Sequence, residues 1–448
     1  MMASLSDTDA AALAQGMATA PWTQRFLDGL PAPAGELETV QWRGREALAR
    51  QTLPSRRDED WRFTDLVPLL AVFDGTAPTA GSSGGTDSPA AASALPPPAP
   101  DTVRLLLDGR NDPLAGQTLP AGLSLLGEGE WPLALGHTLA ATGCQAHWPV
   151  ELNQATASRC LALRVSGAVA STLELVSVAG ADVSGAAEAE PGATQIGQRL
   201  TPVRVLLLLE EKASLNVLQV QLGNGPCLSS LVCEARLGRG STLRHGLLAF
   251  GAGEACFLGH LAVEQELESR LESVWASRGW ALSRFEPRVS QAEGGAHTSL
   301  KALQLAEEHQ LVDTHSRVVF EGPDGQLEQL HKAIADGHGR SVFNGAVKVP
   351  RLAQRTNAAQ LSRNLLLSNQ ARIDTKPELE IVADDVRCAH GATVTRLQQN
   401  ELFYLQSRGI SAAVAAGLLK RGFCQEVLRD LPAAAAGWEP LKRLLAEA

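Results

Sequence analysis

The chain has few aromatic residues, with one Tyr, ten Phe and eight Trp among 448 positions. It therefore has little from which to build the ring platform that a sugar-binding groove requires. Long apolar runs are absent too. The longest block, Val205 to Leu209, is far short of the roughly 20 residues that cross a bilayer as a helix. Basic charge is in deficit, 39 Lys and Arg against 49 Asp and Glu, for a net charge of -10 with no basic stripe. A reader of a nucleic-acid backbone needs a basic face, so that partner class is excluded. The seven cysteines are odd in number and scattered, with no CxxC pair. Such usage fits a reducing compartment without structural disulfides or a zinc finger. Also missing are GxxxxGK[ST], HExxH, GxSxG and a GxGxxG that opens a helix, so nothing in the chain is a P-loop for ATP. GAGEACFLG at Gly251 lacks the third glycine in register and reads as a strand-turn-strand corner. The start, MMASLSDTDAAALAQGM, has no basic segment or apolar core and does not read as a secretory signal. The expectation is a cytoplasmic protein with no nucleic-acid or membrane partner.

What is present divides the chain by pattern. Residues 1–74 read as a helical domain, with Trp42, Ala47 and Leu48 as an apolar face and Pro54 as a stop. Residues 75–100 are rich in Gly, Ser, Ala and Pro and carry almost no large apolar side chain, so ordering them has little burial to offset it. They read as a flexible linker that stiffens in its final proline run. Residues 101–397 consist of short β-like runs such as VRLLLDG, LALRVSG, STLELVSVAG and SRVVFEG, broken by glycine and polar pairs. This density of strands suits a sandwich, a propeller or a β-solenoid, and no strict repeat length selects among them. Residues 398–448 return to helix. A short helix spans Asn400 to Ser407, Gly409 suits a left-handed cap, Ser411 an N-cap and Pro440 the opening of a last helix. The apolar residues here, Val414, Leu418, Leu419, Leu441, Leu444 and Leu445, are expected to pack on the end of the β-stack, which needs a cover.

The stretch richest in chemistry is KPELEIVADDVRCAHGATVTRLQQNELFYLQSRGI, Lys376 to Ile410. Read as one strand with a side-chain period of two, it places Asp384, Val386, Cys388 and His390 on one face and Asp385 and Arg387 on the other. A thiolate and an imidazole at that spacing can reach one metal ion, but a tetrahedral site needs about four ligands. The remainder must come from another rung, another chain or substrate. Read otherwise, Cys388 is a small buried apolar residue beside a hydrogen-bonded His390. His315, His331 and His338 are isolated and read as surface or hydrogen-bonded histidines. An enzyme reading would use Asp384 and Asp385 as the paired carboxylates of a polysaccharide-active β-helix, yet neighbours on a strand point opposite ways.

The run KPELEIVADDVRCAHGAT followed by FYLQSRGI resembles the C-terminal signature of the SufD branch of the SufB/SufD family, the scaffold of SUF iron-sulfur cluster assembly. SRRDEDWRFTDL, Ser55 to Leu66, is similar to the segment that closes the family's N-terminal helical region. Ala371 falls near the position of the acceptor cysteine in SufB, which separates the chain from that branch. Val382, where an aromatic is usual, and Thr395, where Gly is common, depart from the pattern without touching the Cys or His. The resemblance implies a right-handed parallel β-helix core flanked by N-terminal and C-terminal helical regions. It implies a non-catalytic scaffold that pairs with a SufB-like paralogue through the β-helix edge and docks the ATPase SufC on its C-terminal helices. Cys388 and His390 would hold a nascent iron-sulfur cluster or iron shared with SufB. A homodimer when SufB is missing and a reduced flavin in the complex are further expectations that the resemblance carries. A purely structural paralogue that stabilises its partner without handling metal is the alternative within the same family.

Overall fold

A computed structural model describes residues 20–74, 95–180 and 195–445. The expectation of a linker over 75–94, and that of a non-secretory start, lie outside the described residues.

The core is a parallel β-helix of two nine-stranded sheets. One sheet runs Thr102–Leu106, Ala168–Ala179, Ser214–Asn224, Thr242–Ala252, Arg270–Arg278, His297–Ala306, Gln326–Ala335, Asn357–Leu366 and Arg387–Thr395. The other runs Leu123–Leu125, Leu161–Val165, Leu200–Leu209, Leu228–Leu237, Cys256–Gln265, Leu282–Gln291, Leu311–Phe320, Arg340–Val349 and Arg372–Ile381. The chain crosses from one sheet to the other and back, so each turn hydrogen-bonds only to the turns before and after it. Thr242 pairs with Arg270, 28 residues on, whereas Gln326 pairs with Asn357, 31 residues on. The drift lies in the corners, and it hides the repeat from the sequence.

Side chains that point into the coil stack in columns. Leu215, Leu243, Leu271 and Leu327 belong to one column, which ends on Ala358 and Cys388. The outward faces are also buried, which is why strands such as Leu200–Leu209 read as continuous apolar runs. On the first sheet the outward residues Leu248, Val274, Leu303, Ile334 and Leu365 pack against Cys424, Val427, Leu428, Trp438 and Leu444. The C-terminal region is the helices Gln399–Gln406, Ala412–Leu428 and Pro440–Leu445. It therefore covers a flank of the β-helix and not its end, contrary to the packing expected from sequence, because the apolar surface lies on the flank. Gly409 has φ 84°, and the Ser411 hydroxyl accepts from the Val414 amide at 3.4 Å, as the capping pattern predicts. Lys332 Nζ reaches Phe423 O at 2.8 Å and Glu426 Oε2 at 2.5 Å, and Trp438 Nε1 donates to Glu174 Oε1 at 2.6 Å. Leu95 and Ala99, in the proline run, join this cluster.

The second sheet is covered by the N-terminal helices Ala20–Asp28, Glu38–Arg50 and Val67–Asp74 together with Trp148–Thr156, a helix inserted within the β region that the strand pattern did not reveal. Trp42 is 55% exposed, so it does not share the apolar face assigned to it. Gln41, Gly44 and Leu48 are buried instead. A Cβ on Gly44 would lie 2.6 Å from the Ala155 amide nitrogen, so glycine is what allows the two helices to cross closely. The motif Ser55 to Leu66 clamps this cover to the sheet. The Arg284 guanidinium lies 3.9 Å over the Trp61 ring, Arg284 Nη1 donates to Asp60 O at 2.8 Å, and Thr64 hydrogen-bonds Asp313.

Beneath that clamp is a buried ionic layer. Arg284 joins Glu286 at 2.7 Å and Asp313 at 2.8 Å, all three essentially out of solvent. Burial alone would raise Asp313, yet His315 and Arg284 beside it hold its carboxyl below the ordinary range. His315 and His331 are thus internal and partnered, with His331 Nε2 3.0 Å from Gln304 Oε1, and are not surface histidines. Trp61→Ala should cost about 3–5 kcal/mol and expose the N-terminal helices to limited proteolysis, whereas Trp42→Ala should stay within about 0.5 kcal/mol, both read by denaturant unfolding.

Candidate functional site

The two ends of the coil differ. At the N-terminal end the second sheet turns antiparallel, Leu123–Leu125 against Leu161–Val165, and helices Trp131–Ala134 and His137–Ala141 follow nearby in the chain. At the C-terminal end both sheets stop on edge strands of full length, Arg372–Ile381 and Arg387–Thr395. Each pairs on one side only, with Arg340–Val349 and Asn357–Leu366 respectively. Among the described residues no strand pairs with their other sides, and Ile381, Val382 and Val394 are 40%, 51% and 46% exposed around them.

Cys388 and His390 lie on the second of these edge strands and share its inward face, as the period of two predicts. Cys388 pairs in register with buried Ala358 and packs partly against the interior core. His390 pairs with buried Gln360 and is exposed. It ends a column in which Gln360 Nε2 donates to Gln329 Oε1 at 2.8 Å, while Gln360 Oε1 is buried with no hydrogen-bond partner among the described residues. Burial raises the Cys388 thiol above its ordinary value, although a backbone hydrogen bond with Ala358 works the other way. The thiol is therefore protonated at neutral pH, and a metal must displace its proton.

Asp384 and Asp385 do not belong to that strand. The segment read as one strand is two, in different sheets, joined by a corner over 382–386 in which both aspartates are exposed. The Asp385 amide donates to Gln354 Oε1 at 3.0 Å and its carbonyl accepts from the Arg355 amide at 2.6 Å, bonds that shape the corner. Val386 begins the return and packs on the interior core. The rule that strand neighbours point opposite ways therefore does not govern Asp384 and Asp385, which sit in the corner. Among the described residues, no third His, Cys, Asp or Glu forms a ligand group with Cys388 and His390. Cys388 and His390 stand together on an edge strand.

Ala371, beside the start of the other edge strand, is buried and apolar, so no thiol stands there. The Gly251 segment is a corner, with Gly253 at φ 63° between strands Thr242–Ala252 and Cys256–Gln265. His147, His260 and Glu286, which the sequence did not single out, form the one group of three metal-type ligands among the described residues. They come from separate parts of the chain, so no local spacing could have signalled them. No helix among the described residues is long and apolar enough to cross a membrane.

Residues 193–423 match the family model for the SUF system FeS cluster assembly SufBD core domain. An iron-sulfur cluster assembly SufBD family protein of Synechocystis is 30% identical over 87% of this chain and 86% of its own length. The chloroplastic protein ABCI7 of Arabidopsis thaliana is 36% identical over 51% of this chain and 49% of its own. The iron-sulfur cluster assembly protein SufD of Escherichia coli is 38% identical over 30% of this chain and 31% of its own. The likeness to the Synechocystis protein extends over most of both chains, and this chain belongs to the SufBD family of iron-sulfur cluster assembly proteins.

Proposed function

We propose that the chain is the SufD-type subunit of a SUF scaffold and that its open β-helix edge is where a SufB-like paralogue docks. The observation that carries this reading is the pair of unpaired edge strands with Cys388 and His390 on the inward face of one of them. Exposed edge strands of nine and ten residues in a stable fold call for a covering strand, and a paralogous coil would extend both sheets at once. Val394, exposed on the edge strand itself, lies where that coil would cover it.

In this reading iron or a nascent cluster is cargo held at the seam, with Cys388 and His390 as this chain's share of the ligands and cysteine or carboxylate groups from the partner as the rest. The chain's own contribution is geometric. The coil fixes both side chains on a rigid strand, and Cys388, half-buried and protonated at rest, gives up its proton only as metal arrives. Alanine at position 371, together with the likeness to the Escherichia coli SufD, favours the SufD branch.

The C-terminal helices support a second contact. Phe403, Tyr404, Val414 and Leu418 are 71%, 57%, 56% and 45% exposed on Gln399–Gln406 and the first half of Ala412–Leu428, while the rest of that region is packed on the sheet. This apolar patch is the docking surface we assign to a SufC-type ATPase. ATP-driven pairing of two such ATPases would move the two helical regions and so bear on the seam, to the extent that nucleotide favours one arrangement over the other.

Iron and acid-labile sulfide, counted in the anaerobically co-expressed complex, test the metal role. His390→Ala should leave assembly intact and lower metal content, and unchanged metal would reduce His390 to a structural residue. In the isolated chain, alkylation of Cys388 should accelerate with pH and reach half its maximal rate above about 8.5, the ordinary thiol value, because burial raises the thiol. A midpoint at or below that value would contradict the burial. In the complex, adding ATP should change the Cys388 alkylation rate, and equal rates with and without nucleotide would disconnect the ATPase from the seam.

A further inference from the structure

The outer face of the second sheet, remote in sequence from the Cys388 edge, carries a separate group of ligand-type side chains under the helical cover. His260 of Cys256–Gln265 and Glu286 of Leu282–Gln291 are register partners on neighbouring strands and both point outward. His147 is the residue that precedes helix Trp148–Thr156 and reaches them from the cover. His260 and Glu286 are each 1% exposed, whereas the His147 side chain keeps 25% of its surface in solvent.

The distances are unusual for hydrogen bonding. His147 Nδ1, His260 Nε2 and Glu286 Oε2 lie 3.4 Å from one another in all three pairings. Each separation exceeds the usual N–H···O range, and two imidazole nitrogens face each other across the group. Three donor atoms with this spacing are one face of a tetrahedron whose centre lies about 2.0–2.1 Å from each, the bond length of zinc to imidazole nitrogen and carboxylate oxygen. Two histidines and a glutamate are also a donor set that holds zinc with one position left open.

The surroundings bear on which ion fits. Arg284 donates to Glu286 Oε1 at 2.7 Å and Arg288 to Oε2 at 2.6 Å, so the carboxylate is aimed before any ion arrives. Two guanidinium groups disfavour a hard cation that binds by charge alone, and they leave the advantage to an ion with strong affinity for imidazole. His260 suits that role, since burial pushes its imidazole below the ordinary value although Glu286 opposes the shift. Its Nδ1 is buried with no hydrogen-bond partner among the described residues, and its polar contacts run through Nε2.

We propose that His147, His260 and Glu286 form a three-ligand site for a borderline divalent transition ion, zinc or ferrous iron, that staples the helical cover to the β-helix and keeps one coordination position for water or an incoming donor. The site uses neither Cys388 nor His390 and stands whether or not the edge assignment does. The test is anaerobic titration of the chelator-stripped, full-length chain with Co²⁺, followed by its visible absorption, with circular dichroism as the check on folding. One equivalent per chain with four-coordinate bands is expected, displaced by Zn²⁺ if zinc is the ion and by Fe²⁺ at similar concentration if iron is. His147→Gln should weaken Co²⁺ binding by at least about 100-fold, the upper end of what losing an outer partner of a metal site costs, while His390→Ala leaves it unchanged. Absence of a saturable spectrum, or native-like binding by folded His147→Gln, overturns the proposal. If His147→Gln does not fold, the native chain decides: its melting temperature must rise with saturating Co²⁺, and no rise overturns the proposal as well.

Discussion

Everything in this protein depends on one requirement of parallel coiling, that the backbone groups of each turn are satisfied only by the turns on either side. A parallel β-helix therefore has no closed ends of its own, and whatever the chain does at the two ends decides its architecture. At the N-terminal end an antiparallel strand terminates the ladder of the second sheet. At the C-terminal end two full edge strands remain, and Cys388 and His390 stand on one of them. Side chains in the middle of the stack are walled in by their own chain; at the edge they can be reached from outside.

The flanks obey a different requirement, which is burial. Both outer faces of the coil are apolar over much of their area, and helices from the two chain termini cover them, one region per sheet. The N-terminal cover rests on a layer of buried charge, Arg284 with Glu286 and Asp313, roofed by Trp61. Charges held so far from water are stabilising only while every partner is present, so the layer specifies where the cover sits more than it adds to stability. The C-terminal cover is attached by Lys332 and Trp438 while its first helices leave Phe403, Tyr404 and Val414 exposed. Both flanks carry helices, in a chain that belongs to a family of cluster-assembly proteins.

Much of this was legible in the residues. The β-rich core, the helical ends, the Gly409 and Ser411 caps and the alternation of Cys388 and His390 all depend on local rules of backbone and side-chain period, and the structure follows them. The errors have local causes too. Asp384 to His390 reads as one strand because the corner over 382–386 contains no glycine or proline to announce the change of sheet. Trp42 reads as core because helical periodicity does not say which face meets Gly44's neighbour. The coil repeat was hidden because its corners differ in length.

The sequence by itself determined a strand-rich core between helical ends, that no P-loop motif is present, and that a thiol and an imidazole share one strand face, since each follows from spacing along a few residues. Only the tertiary structure decided that this strand is the last of its sheet, that the C-terminal helices cover a flank and leave the end open, and that His147 meets His260 and Glu286. Those facts depend on which turns of the coil become neighbours, and corners of unequal length set that neighbourhood only when the whole chain has closed upon itself.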